Sequence, residues 1–152
     1  MSKSTVVGGG IAVAAVVAVK FIVKAGVIAA IFGGTHVAAN AYQSSVMHVK
    51  SMAQDFNARN KDEQIFIDEA NKALVHHVYM QDVSDDAAAN ADPSYMAPYV
   101  QEAKAEQVKH LRQMQSTEAD LDLINHGWSE VYKYETLNHV EIASFTISQA
   151  DL

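Results

Sequence analysis

The sequence predicts an all-α protein: a single N-terminal transmembrane helix followed by an acidic helical hairpin or small helical bundle. Three observations carry that expectation. The stretch from Thr5 to Phe32 runs for 28 residues with no acidic side chain and no proline, interrupted only by Lys20 and Lys24. Charge is segregated along the chain. Residues 1–54 hold Lys3, Lys20, Lys24 and Lys50 and no Asp or Glu, whereas the rest holds all 18 acidic residues. The two prolines, Pro93 and Pro98, are neighbours, which leaves everything outside their vicinity free to be helical.

As a helix, Thr5–Phe32 is about 42 Å long at about 1.5 Å per residue, against a hydrocarbon slab of about 30 Å. With Thr5 at one edge, Lys24 falls about 28 Å further on and Lys20 about 6 Å short of the far boundary. A lysine stem spans that shortfall by snorkelling, so Lys20 and Lys24 mark the membrane interface. A cleaved secretory signal fits less well. Two lysines and more apolar sequence separate the run from the small-residue triplet Ala39-Asn40-Ala41. Lys3 on one flank against Lys20, Lys24 and Lys50 on the other weakly places the C-terminal part inside.

Within the span, Gly8, Ala12, Ala15, Val19, Ile22, Gly26, Ala29 and Gly33 recur at spacings of four and three. Small residues so spaced let membrane helices approach closely, which makes Gly8, Ala12, Ala15, Gly26, Ala29 and Gly33 a candidate packing stripe. The expected division is 1–35 as anchor helix and 36–152 as an acidic helical extramembrane domain, with coiled-coil packing among its possibilities and a loop near 82–97.

In that domain, Val46, Val49, Ala53, Phe56, Ile67, Ala70, Leu74 and His77 or Val78 stay on one helical stripe from His36 to about Gln81, if the register runs through Asn60 and Glu63. Asn57 and Asn60 mark the point where that helix would break. Asp82 to Pro93 is small, polar and acidic, which suits a loop. Helix resumes from about Pro98, in its first turn, to about Gln115 through Val100, Leu111 and Met114. Ser116 or Thr117 then caps a further helix, with Glu118 and Asp120 in its first turn. Leu121, Ile124, Trp128, Val131, Ile142 and Phe145 keep helical spacing. The run Val140–Ser148 has enough β-branched character that a short strand is an alternative to helix there.

The chain has no cysteine, which excludes disulfides, thiolate metal sites and a cysteine nucleophile. The acidic half lacks the Lys/Arg cluster that nucleic-acid binding needs. Glu106 with His110, and Glu135 with His139, lie four apart. The di-iron bundle motif wants three, so both pairs read as surface ion pairs on helices and no metal site is expected. His76 and His77 would point about 100° apart on a helix, and His77 reads as a packed residue. His36, among small residues near the end of the apolar stretch, is a candidate axial ligand for a haem or chlorin ring. Gly8-Gly9-Gly10 lacks the ending of a phosphate loop. Trp128 and Tyr132 form a candidate partner-docking patch.

The expected function is that of a non-enzymatic, membrane-anchored structural or accessory subunit, in a membrane complex or a membrane-containing virus particle. Its partners would be the lipid bilayer, other membrane helices and protein subunits, with no cofactor and no nucleic acid. Two alternatives are a holin-like pore that turns Lys20 and Lys24 toward water, and a haem- or chlorin-binding subunit built on His36.

Overall fold

The computed structural model describes residues 42–113 and 119–152. It is not all-α. The elements run α1 (Tyr42–Arg59), β1 (Glu63–Asp68), β2 (Ala73–Tyr79), α2 (Asp85–Ala89), α3 (Pro93–Gln113), α4 (Ala119–Asn125), β3 (Ser129–Glu135) and β4 (Glu141–Ile147), with a closing 3-10 turn at Gln149–Asp151. The strands form one mixed sheet in the order β1-β2-β3-β4. β1–β2 and β3–β4 are antiparallel pairs, and the central β2–β3 pair is parallel. A parallel pair needs a long crossover, and α2, α3 and α4 supply it.

The helix expected to continue to Gln81 stops at Arg59 because its C-terminal part obeys a different period. Asn57 and Asn60 turn their side chains onto nearby backbone: Asn60 Nδ2 donates to Phe56 O at 3.0 Å and Asn57 Nδ2 donates to Ile65 O at 2.8 Å. Beyond them, Glu63 and Ile65 point into the protein while the alternate Phe66 is exposed. In β2 the buried positions Leu74, His76 and Val78 alternate with half-buried Val75, His77 and Tyr79. That period of two is a strand with one face in a core. The run read as helical from Trp128 to Phe145 is the β3–β4 hairpin, with Glu130, Tyr132, Tyr134, Phe145 and Ile147 facing inward. The strand alternative for Val140–Ser148 is the one realised.

The helices fare better. α1 buries Val49 and Ala53, α3 buries Met96, Ala103 and Leu111, and α4 buries Leu123 and Ile124. Pro98 sits inside α3 rather than at its start. The acidic segment expected to be loop contains the short α2, whose cap Ser84 accepts from Ala87 N–H at 3.2 Å. The proposed cap at Ser116 or Thr117 lies outside the described residues.

All four helices share the inner face. Val49, Leu74, Ala119, Leu123 and Trp128 form one cluster, and α2 and α3 pack with Val78, Tyr132, Tyr134, Phe145 and Ile147 in a larger one. Across β2, β3 and β4 the registered neighbours His76, Tyr132 and Phe145 stack in a row, with ring centroids 4.4 and 4.8 Å apart. α4 ends in a left-handed glycine: Gly127 has φ +84, and Trp128 N–H reaches back to Leu123 O at 3.0 Å. Trp128 and Leu123 belong to the same apolar cluster, as is common at such a helix end.

Among the described residues no helix is long and apolar enough to cross a membrane, which corrects the expectation of a single-pass protein. The two long helices are apolar on one stripe only: α1 carries His48, Lys50, Gln54 and Asp55, and α3 carries Glu102, Lys104, Glu106 and Lys109. Among the described residues no coiled coil is formed, because those stripes are buried against the sheet instead. Residues 1–35, to which the span was assigned, lie outside the described residues.

The outer edge of β1 is closed by a side chain. Asn57 Nδ2 donates to Ile65 O at 2.8 Å and Ile65 N–H donates to Asn57 Oδ1 at 2.7 Å, so one carboxamide replaces the missing neighbouring strand. Asn57→Ala orphans both backbone groups. It is expected to lower stability by about 1–3 kcal/mol in urea unfolding and to promote self-association on size-exclusion chromatography.

Candidate functional site

Consecutive residues of a strand point to opposite faces, so His76 and His77 part company. His76 turns inward and is 1% exposed. His77 lies on the outer face, where the parallel register sets it beside Lys133 and two residues short of the Tyr79–Glu135 pair. The pairing of β3 with β4 slips at Tyr134/Glu135, and this irregularity leads into a tight connection to Val140.

That connection is held from several directions. Thr136 N–H donates to Val140 O at 3.0 Å, His139 N–H donates to Thr136 O at 3.0 Å, and Val140 N–H donates to Thr136 Oγ1 at 3.2 Å. Thr136 is 1% exposed. Its hydroxyl donates to Asp85 Oδ1 at 2.5 Å, while Asn138 Nδ2 donates to Asp85 Oδ2 at 2.9 Å. One carboxylate at the start of α2 thus clamps the connection twice. Within it His139 adopts φ +65, a left-handed conformation that is uncommon for a residue with a side chain.

The result is a three-residue cluster. The Glu135 side chain is 6% exposed, and its Oε1 contacts His77 Nδ1 while its Oε2 lies 2.9 Å from His139 Nδ1. One nitrogen from each imidazole and a carboxylate oxygen all lie within 4.8 Å of one another. Among the described residues this is the one group of three or more such side chains placed to share an ion. Aromatic rings wall it. Phe66 meets the His77 ring edge-on at 5.2 Å, and Tyr79 lies 6.5 Å from His77 and 5.5 Å from His139. Partial burial, and after it the Glu135 charge, push the Tyr79 phenol above its ordinary range.

The other histidine–carboxylate contacts are of different kinds. His126 meets Asp122 at 3.4 Å at the exposed end of α4, an ordinary helical neighbour contact. Glu106 pairs with Lys109 at 3.7 Å on α3. His76 and Glu63 are 3.8 Å apart inside the core. There Tyr132 donates its hydroxyl to Glu130 Oε2 at 2.5 Å. Burial first, then the Glu130 charge, hold the Tyr132 phenol well above its ordinary range, and burial, then the Glu63 charge, raise that of Tyr134.

Of the residues singled out in the sequence, Trp128 and Tyr132 are each 3% exposed and belong to the core, so they form no surface patch. Gly8, Ala12, Ala15, Gly26, Ala29 and Gly33, the interface lysines Lys20 and Lys24, and the candidate haem ligand His36 lie outside the described residues. Glu135 and His139 were visible as a pair but belong to a hairpin end rather than a helix. Their third member, His77, is 58 positions from Glu135, and no local pattern signals it. No protein-family model, no curated protein and no solved structure matches this chain.

Hydrogen bonds from Thr136, and next from Asn138, hold the Asp85 carboxyl below the ordinary aspartate range. A depressed folded value contributes stability above the unfolded pKa, and that contribution is lost as pH falls through the folded one. The stability difference between wild type and Asp85→Asn is therefore expected to be full near about pH 6 and to shrink progressively as pH falls below the ordinary aspartate range of about 4. Urea unfolding followed by Trp128 fluorescence reads it.

Proposed function

We propose that this chain binds a divalent first-row transition-metal ion, zinc by preference, through His77, Glu135 and His139. The observation that carries the proposal is the convergence of two imidazoles and one carboxylate, their donor atoms within 4.8 Å of one another. Two histidines and a carboxylate are a known donor set for zinc, usually with the fourth position left to water or a ligand. Around a tetrahedral zinc with bonds of about 2.0–2.1 Å, donors sit about 3.4 Å apart. Small side-chain rotations close the remaining distance. His77 stands on β2 and Glu135 on β3, so two of the three donors ride on paired strands and are held rigidly. With no cysteine in the chain, no thiolate competes for the ion.

Calorimetric titration of the metal-free full chain with zinc is expected to show one ion per chain. His77→Ala, Glu135→Gln and His139→Ala should each weaken binding by at least about tenfold, since losing even a group that only orients a metal ligand costs about 10–100-fold. A wild-type chain that takes up no zinc sinks the proposal and leaves a buried carboxylate satisfied by two imidazole rings.

A second reading keeps the expectation of a non-enzymatic accessory subunit of a larger assembly. It is supported by Met47, Phe66 and Leu137, large apolar side chains that are 71%, 50% and 58% exposed. Replacing all three by serine should leave the far-ultraviolet circular dichroism unchanged and remove proteins that co-purify with the wild-type chain. Identical co-purifying proteins in wild type and variant count against a subunit role for these side chains.

A further inference from the structure

The charge around the cluster indicates what fills the remaining coordination positions. With Glu135 as the one anionic ligand, a dication leaves a single net positive charge on the ligand set. Lys133 adds another. It is the registered parallel neighbour of His77, and it precedes Glu135 by two residues on β3, so it stands on the same outer face. Paired strands lie about 4.8 Å apart and alternate residues about 6.6 Å apart along a strand. Both separations are within the reach of a lysine stem.

Three described lysines have acidic partners, Lys50 with Glu69, Lys104 with Asp151 and Lys109 with Glu106, while Lys72 Nζ donates to His126 O at 3.4 Å. Among the described residues, Lys133 has no carboxylate within ion-pair distance. The acidic neighbour on β4 is Glu141, the registered partner of Glu135, and its Oε1 accepts from Ser144 Oγ at 2.8 Å. Once a dication is bound, its two charges and that of Lys133 outweigh the carboxylates of Glu135 and Glu141, and the patch carries net positive charge although the chain as a whole is acidic. The apolar side of the patch is Phe66, half exposed and edge-on to the ring of His77.

We infer that the metal site takes a small organic carboxylate as its exogenous ligand: one carboxylate oxygen on the metal, the charge shared with the Lys133 ammonium, and the carbon skeleton against Phe66. The inference rests on the metal-binding reading above. No bond is made or broken in the ligand, since binding replaces a coordinated water. A metal with an open position accepts such an exchange, and a charged donor beside the anion makes the bond to it stronger and more selective. Phe66 supplies apolar area that an inorganic anion cannot use.

Cobalt(II) replaces zinc in the test because its visible absorption reports ligand exchange. The full chain loaded with cobalt is titrated with benzoate, acetate and inorganic phosphate. Benzoate is expected to shift the visible bands at the lowest concentration and acetate at a higher one, with phosphate no better than acetate. Lys133→Gln should weaken benzoate by roughly tenfold with cobalt affinity unchanged, and Lys133→Arg should keep benzoate affinity within about threefold. Phe66→Ala should erase the advantage of benzoate over acetate. Bands that no carboxylate shifts overturn the inference while the metal site stands. A response to phosphate alone, or equal losses in Lys133→Gln and Lys133→Arg, overturns it too. If cobalt gives no visible bands at all, the metal reading itself has failed and this inference falls with it.

Discussion

The parallel pairing of β2 with β3 is the constraint on which the rest of the structure depends. It joins Ala73–Tyr79 to Ser129–Glu135, two segments separated by three helices. Each side of that pairing does different work. On the inner side it stacks His76 on Tyr132 and lays down the surface on which the helices pack. On the outer side it sets His77 beside Lys133 and brings Glu135 within reach. Because strand side chains alternate, a slip of one residue would exchange these faces. His76 would then meet solvent, and the Glu135 carboxylate would turn toward apolar neighbours.

The inner face is unusually polar for a core. Glu63, His76, Gln107, Asp120 and Glu130 are all buried, together with two tyrosines. A buried polar group costs free energy unless it is hydrogen-bonded. Where bonds are seen, they run along the strands: Tyr132 serves Glu130, two residues before it on the same face. Burial opposes ionisation of both phenols, which keeps the Tyr132 hydroxyl a donor to the Glu130 carboxylate. The helices add their own polar tie, Ser45 Oγ donating to Asp122 Oδ2 at 2.6 Å between α1 and α4. Such bonds fix orientation between elements more than they add net stability.

The outer-face cluster works by a different economy. Glu135 is buried although its histidine partners lie toward solvent, His77 at 22% and His139 at 65% side-chain exposure. The left-handed backbone at His139 is held by the Thr136 bonds and, through Asp85, by α2. Strain of this kind, about 1–3 kcal/mol at most sites where it occurs, persists because surrounding contacts over-determine it. The same clamp therefore links a helix packed on the core to a side chain at the cluster.

Local pattern alone settles part of this protein. The amphipathic stripes of α1 and α3 are readable because each helix buries its own face, at positions such as Val49, Ala53, Ala103 and Leu111. A break at Asn57 and Asn60 and a strand at Val140–Ser148 were visible only as alternatives to helix, because a residue and its near neighbours suggest such features without deciding between them. Strand against helix was not readable for Glu63–Tyr79. Spacings of three and four accommodate Ile67, Leu74 and Val78 as well as alternation does, and strand preference depends on what packs across the sheet. The cluster is the extreme case. Glu135 and His139 announce themselves four residues apart, but their geometry comes from a hairpin, and His77 joins them through the pairing of strands distant in the chain. Register is a long-range property carried by hydrogen bonds between segments and by the faces they bury, so it is written in no single stretch of residues.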